Sequence, residues 1–222
     1  AGEIAQYRDE HDAPIDISVV EGLDSVLPNG APPLQDALTE RLEARDVSIL
    51  TGEFIGEVGE NTVYVGEDTE IPYDVLVWTG GITGRDAVTE VAVDQDDRSH
   101  RVDAAQDFQT SDDRVFAIGD CALIDQPDDG PAPPTAQAAW QAAEVAGENV
   151  ARTISGRSLR TWTYDDMGTV VSVGEDAVAH DVSFAGFDFP VDTFGGFPAR
   201  TLKKAIAAKW INSITGVGRA MR

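Results

Sequence analysis

The chain has 222 residues, 42% of them hydrophobic, and carries 40 acids against 16 bases for a formal net charge of −24. That length is enough for one large or two small cores. The charge excludes nucleic acid as an expected partner, and no run approaches the roughly 18 apolar residues of a membrane-spanning helix. A single cysteine, Cys121, excludes an internal disulfide framework, and the three scattered histidines offer no clustered metal site.

Residues 1–12 are polar, unlike a signal peptide, and read as the end of a helix with no start signal, so the chain is expected to begin inside a domain. Residues 15–20 (IDISVV) form a short β-branched run between polar flanks, the pattern of a buried strand. Pro32 and Pro33 then open an apolar-periodic segment, Leu34, Leu38 and Leu42, which predicts an amphipathic helix ending near Arg45. Residues 47–52 (VSILTG) supply the next strand. Strand, helix and strand in this order make a βαβ unit, which requires parallel pairing. Turn residues at 59–61 and 66–69 predict an antiparallel meander over residues 53–72. Residues 73–78 (YDVLVW) are predicted to be an apolar strand running into Thr79, Gly80 and Gly81, and residues 88–101 a polar loop. Another buried strand is predicted at residues 115–118, stopping at Gly119 and Asp120. A Pro-rich loop leads to Thr135 and a helix of about 20 residues, after which residues 161–184 read as strands.

The run VFAIGD carries the most specific chemistry. A strand ending in Gly-Asp exposes backbone N–H groups at its carboxyl edge and offers a carboxylate to a polyol hydroxyl, although an ordinary Asx turn would look the same in isolation. Its context, VLVWTGG upstream and PPTAQAAWQAA downstream, resembles the C-terminal half of the two-dinucleotide-binding-domain flavoprotein reductases. That resemblance implies FAD held by Gly119 and Asp120, and NADH near Thr79, Gly80 and Gly81. The segment from Ala136 to Gln141 (AQAAWQ) resembles the quinone-site helix of type II NADH dehydrogenases. Thr135 can cap that helix, so that its positive N-terminus at Ala136 and Gln137 faces the negative charge of a reduced flavin. Gln137 and Gln141, one turn apart, share a face and could hydrogen-bond a quinone carbonyl, or could be ordinary surface glutamines. Glu21, at the end of a Rossmann-type strand, suits the adenosine ribose hydroxyls and repels a 2′-phosphate. No GxGxxG occurs anywhere in the chain, although the family uses two. The fragment by itself is therefore expected not to transfer hydride, and NADH oxidation after adding FAD would refute that. Cys121 reads as a packing residue; alone it cannot form the redox pair of a disulfide reductase. Sulfide:quinone oxidoreductase stays open as the runner-up.

The charge is unevenly placed, with six bases and no acid from Arg200 to Arg222, including every lysine of the chain. Leu202, Ile206, Trp210 and Ile214 recur every four residues there, which suits an interfacial membrane helix or, equally by pattern, a core-facing one. Phe184, Phe187, Phe189, Phe194 and Phe197 could line that surface or fill a small core. The Asp-rich, Lys-poor composition resembles that of salt-loving microbes, in whose cytoplasm the Debye length falls to about 3 Å and self-repulsion is screened. Together these readings predict an α/β chain of partial Rossmann-like FAD- and NAD(P)-binding domains with a β-meander and a small C-terminal α+β domain. The expected parts are residues 1–79 for NAD(H), 80–158 for FAD and 159–222 for the C-terminal domain. The implied partners are a quinone and the inner face of the cell membrane through residues 200–222, with a homodimer left open. A stand-alone docking module is the non-enzymatic alternative.

Overall fold

The computed structural model describes residues 1–127, 130–184, 187–188 and 192–215. The chain folds as two compact units, Ala1–Leu76 with the chain from Met167 onward, and Val77–Asp166.

In the first unit, helix α1 (Gly2–His11) ends on Asp12, whose left-handed backbone donates its N–H to the Arg8 carbonyl. Strand β1 (Ile17–Glu21) and strand β2 (Val47–Thr51) pair in parallel from Ile17↔Val47 to Glu21↔Thr51, joined by helix α2 (Pro32–Glu43). The βαβ unit is therefore present, with proline at the helix start where the missing N–H has no intrahelical partner anyway. The expected meander follows as β3 (Ile55–Val58), β4 (Thr62–Val65) and β5 (Thr69–Pro72), all antiparallel.

The C-terminal segment returns to this unit. Strands β8 (Thr169–Val173) and β9 (Asp176–His180) form a hairpin, and β12 (Thr193–Gly195) extends it along β9. A two-residue ladder, β10 (Ser183–Phe184) with β11 (Phe187–Asp188), lies between them in sequence. Leu34 and Leu38 of α2 are buried with Val173 and Val178 of the hairpin, and Arg41 pairs with Asp176 at 2.9 Å. Gly2 of α1 sits so close to the hairpin that a Cβ there would lie 2.6 Å from the Val173 Cα, which is why only glycine fits.

Helix α5 (Phe197–Thr215) divides the expected apolar stripe in two. Leu202 is buried and Ile206 packs beside it, against Ala177 and Ala179 of β9. Trp210 and Ile214 are 47% and 64% exposed. The core-facing reading thus holds for the first half of the helix, and the second half leaves its apolar side chains exposed. Phe194 packs into the α5 cluster and Phe197 is exposed. Phe189, Arg219 and Arg222, and the side chains of Phe184 and Phe187, fall outside the described residues.

In the second unit, a single turn α3 (Asp86–Thr89) precedes β6 (Val102–Ala104), which pairs in parallel with β7 (Ala122–Ile124). Helix α4 (Ala136–Ile154) buries Ala138, Ala142, Ala146 and Asn149, a face of small side chains around the core of Phe108 and Trp162. The fully buried Asn149 donates to the carbonyls of Asp107 and Arg160 and accepts from the Arg160 N–H, so its polar atoms are satisfied.

Two sequence expectations are corrected. Residues 73–78 form no strand; they are irregular, with Val75 80% exposed and Trp78 59% exposed. A strand exists only through ladder partners, and no described strand pairs with this segment. Residues 115–118 likewise form no strand beyond one antiparallel bridge, Gln109↔Phe116. The ladder instead lies just beyond Gly119 and Asp120, in β7, because there the backbone meets β6.

Candidate functional site

The site is built where the segment VFAI reaches Gly119. Gly119 has φ +72, a conformation that side chains with a Cβ adopt only under strain, and it begins a 3₁₀ turn, Gly119–Cys121. A Cβ on Gly119 would lie 3.8 Å from the Ala139 Cβ, so the turn sits against the first turn of α4. Asp120 is exposed, and its carboxylate has no hydrogen bond or ion pair among the described residues. Cys121 is exposed as well, contrary to its expected packing role, and its thiol contacts the Ile118 carbonyl at 3.3 Å.

The N-terminus of α4 is capped as the sequence predicts: the Thr135 hydroxyl accepts from the Ala138 N–H at 3.2 Å. Since the first intrahelical bond runs from the Ala139 N–H to the Thr135 carbonyl, the N–H groups of Ala136 and Gln137 precede the ladder and remain available to a ligand. The two glutamines differ. Gln141 uses both ends of its amide on the backbone of Asp165, donating to the carbonyl at 2.7 Å and accepting from the N–H at 3.1 Å. The Gln137 amide nitrogen is buried and finds no partner. An orphan donor of this kind costs about 1–3 kcal/mol unless something absent from the chain accepts from it.

Asp165 is thereby tied to α4, while its neighbours are held by other segments. The Tyr164 N–H donates to the Gln126 side chain at 2.7 Å, and its hydroxyl lies 3.4 Å from Asp166. Burial, followed by the nearby Asp166 carboxylate, pushes the Tyr164 phenol up to about 12, so it stays protonated at neutral pH. Tyr164 was not signalled because it falls in the run 161–184 that the sequence reads as strands; residues 161–168 form no strand, and its place is set by contacts with distant residues. Arg101 was missed because it falls in the predicted polar loop of residues 88–101. It is buried, and it donates to the carbonyls of Asp120 and Ala122.

Thr79, Gly80 and Gly81 lie in the same unit as Gly119 but in an exposed, irregular stretch, with Gly81 at φ +99 and the Trp78 indole over Gly80. Glu21 belongs to the other unit, at the carboxyl end of β1. One of its carboxylate oxygens accepts from the Leu23 N–H at 3.0 Å, which fixes the side chain at the strand end. Gly22 follows, with the Phe54 ring against it. Among the described residues no three His, Cys, Asp or Glu side chains are grouped to hold a metal ion.

A left-handed glycine, an unpaired carboxylate, free helix N–H groups and an orphan amide all belong to the second unit, on the Gly119 turn and the first turn of α4 packed against it. Together they can take a polyhydroxylated anionic ligand, and a dinucleotide such as FAD fits that donor set.

Type II NADH:quinone oxidoreductase from Staphylococcus aureus (strain MSSA476) is 30% identical over 213 residues, covering 94% of this chain and 51% of that protein. The Haemophilus influenzae protein of the same name is 29% identical over 160 residues, covering 72% of this chain and 36% of its own length. The chain thus spans about half the length, or less, of these curated relatives. Among solved structures, NDH2 from Plasmodium falciparum in complex with NADH superposes with a TM-score of 0.75 at 14% identity, over 99% of this chain and 60% of that one. The sulfide:quinone oxidoreductase from Aquifex aeolicus superposes with a TM-score of 0.68 at 13% identity, over 97% of this chain and 58% of that one. At such identities these two show the fold alone. The family model described as pyridine nucleotide-disulphide oxidoreductase matches residues 1–143, and the chain belongs to that family.

Proposed function

We propose that the chain is part of a flavoprotein that passes electrons from NADH through FAD to a quinone. The observation that carries this reading is the Gly119–Cys121 turn, with its unpaired Asp120 carboxylate, set against the first turn of α4. FAD bound there would supply the two-electron chemistry between nicotinamide and quinone. Asp120 accepts a ribityl hydroxyl, and Gly119 lets the backbone come close. The N–H groups of Ala136 and Gln137 stabilise negative charge at the reduced ring through the helix dipole. Gln137 donates its orphan amide to the quinone carbonyl, and Gln141 holds residue 165 in place beside it. Glu21 takes the adenosine ribose hydroxyls of NADH and disfavours a 2′-phosphate. Thr79, Gly80 and Gly81 border the nicotinamide side. In this reading Ala1–Leu76 contributes to the NADH site and Val77–Asp166 to the FAD site.

The test uses the complete gene product, purified in high salt to match its net charge of −24. Stopped-flow absorbance at the flavin band should bleach on mixing with NADH and recover with a quinone. Bleaching by sulfide but not by NADH would replace this reading with sulfide:quinone oxidoreduction, and a colourless protein would leave only a docking module.

The reading also places the protein at the inner face of the membrane, where a lipid-soluble quinone is found. No described helix is long and apolar enough to cross a bilayer. The exposed Trp210 and Ile214, on a helix carrying Lys203, Lys204 and Lys209, support surface docking. At molar salt, insertion of apolar side chains outweighs charge. Replacing both Trp210 and Ile214 with Ala is expected to weaken co-sedimentation with phospholipid vesicles by about tenfold or more. Unchanged sedimentation would rule this helix out as the docking element.

A further inference from the structure

Arg101 is 7% exposed, yet no carboxylate pairs with it among the described residues. A buried cation without an acid is strongly disfavoured unless its N–H groups find other acceptors. Here the acceptors are the carbonyl of Asp120 in the turn and that of Ala122, the first residue of β7. The Arg101 Nε donates to the Asp120 carbonyl at 2.8 Å, and a terminal nitrogen donates to the Ala122 carbonyl. The planar guanidinium suits this pair, because its N–H groups diverge in one plane at fixed angles.

These two bonds decide the orientation of the peptide between Asp120 and Cys121. A trans peptide sets C=O and N–H in opposite directions, so a carbonyl held toward Arg101 turns the Cys121 N–H away from it. The turn begins at Gly119, the residue type that gives a backbone its widest choice of conformers. Something must remove that choice if Asp120 is to meet a ligand already oriented, and Arg101, fixed at the entry to β6, is placed to do so.

We propose that Arg101 is a positioning residue that pre-forms the Gly119–Cys121 turn to receive the polyol and phosphate arm of a dinucleotide. The inference rests on the flavin reading above and deepens it. Arg101 does not touch the ligand; it acts through the two carbonyls.

The experiment uses the complete protein and three variants: Arg101→Met, Arg101→Lys, and Leu34→Ala as a core lesion in the Ala1–Leu76 unit. FAD dissociation constants are measured on flavin-stripped protein by quenching of flavin fluorescence, well below each thermal midpoint. Hydrogen exchange is followed at residues 119–122. Arg101→Met is expected to weaken FAD by about 10- to 100-fold and to speed exchange across the turn, since two hydrogen bonds to a charged group are lost. Arg101→Lys, which keeps the charge but not the planar fork, should recover part of both. Leu34→Ala should lower the thermal midpoint and leave the FAD constant within about threefold of the unmodified protein. An Arg101→Met constant within threefold of the unmodified protein overturns the proposal, and so does a Leu34→Ala loss matching that of Arg101→Met. If neither Arg101 variant folds, exchange in the unmodified flavin-free protein decides: protection at residues 119–122 before FAD is added supports a pre-formed turn, and protection only afterwards overturns it. Should the unmodified protein bind no flavin at all, the functional reading falls, while turn exchange in the Arg101 variants still tests the strut.

Discussion

Asp120→Ala in the complete protein is expected to weaken FAD binding by about 10- to 150-fold while leaving the thermal midpoint nearly unchanged. One hydrogen bond to a charged group contributes about 1.5–3 kcal/mol, which converts to that range. Stability should survive because the carboxylate is exposed and unpaired, so its removal orphans nothing in the chain. Asp120→Asn keeps the shape and one acceptor oxygen but loses the charge, and should fall between the two. Gly119→Val should lose flavin for a different reason. A β-branched residue at φ +72 is strained by roughly 1–3 kcal/mol, and the turn would relax out of shape. Equilibrium titration of flavin-stripped protein measures all three, and an Asp120→Ala variant that holds FAD within threefold of the unmodified protein would remove this turn from the site.

Phe108→Ala is expected to destabilise the Val77–Asp166 unit by about 3–5 kcal/mol, as large-to-small changes at fully buried aromatic positions do. The ring lies 5.6 Å from that of Trp162, and Ala117 donates its N–H to the Phe108 carbonyl. Truncation therefore leaves a cavity beneath the segment that leads into Gly119. Phe108 is itself in the left-handed region at φ +70, a conformation held by packing of the ring rather than by local preference. Denaturant titration followed by tryptophan emission gives the loss, and a change below 1 kcal/mol would show that the cavity collapses without penalty. A loss on this scale approaches the whole stability of a small domain, so the flavin constants of this variant are best read in high salt.

The prolines at 32 and 33, the leucines at 34, 38 and 42, and the β-branched runs on either side made the βαβ unit legible. The glycine- and asparagine-bearing turns did the same for the meander, and Thr135 for the start of α4. Each of these signals acts within a few residues of the structure it predicts. Residues 73–78 read as a strand for an equally local reason, their apolar run, and the expectation failed because strand formation needs a neighbour. The same held at residues 115–118, where the ladder begins only at Ala122, beyond the Gly119–Cys121 turn.

The sequence by itself therefore determined the periodic elements, the Gly119 and Asp120 motif and the acidic surface, because periodicity, turn chemistry and charge are properties of neighbouring residues. Only the tertiary structure decided which glutamine amide found a partner within the chain. Gln137 and Gln141 are indistinguishable by spacing, yet one is satisfied by Asp165, 24 positions along the chain, and the other is buried without a partner. It also decided that the first half of α5 faces a core while Trp210 and Ile214 do not, and that Arg101 braces a turn 19 positions away. Those outcomes depend on contacts between segments distant in sequence. Burial and hydrogen-bond satisfaction are settled there, and no local pattern records which segments will meet.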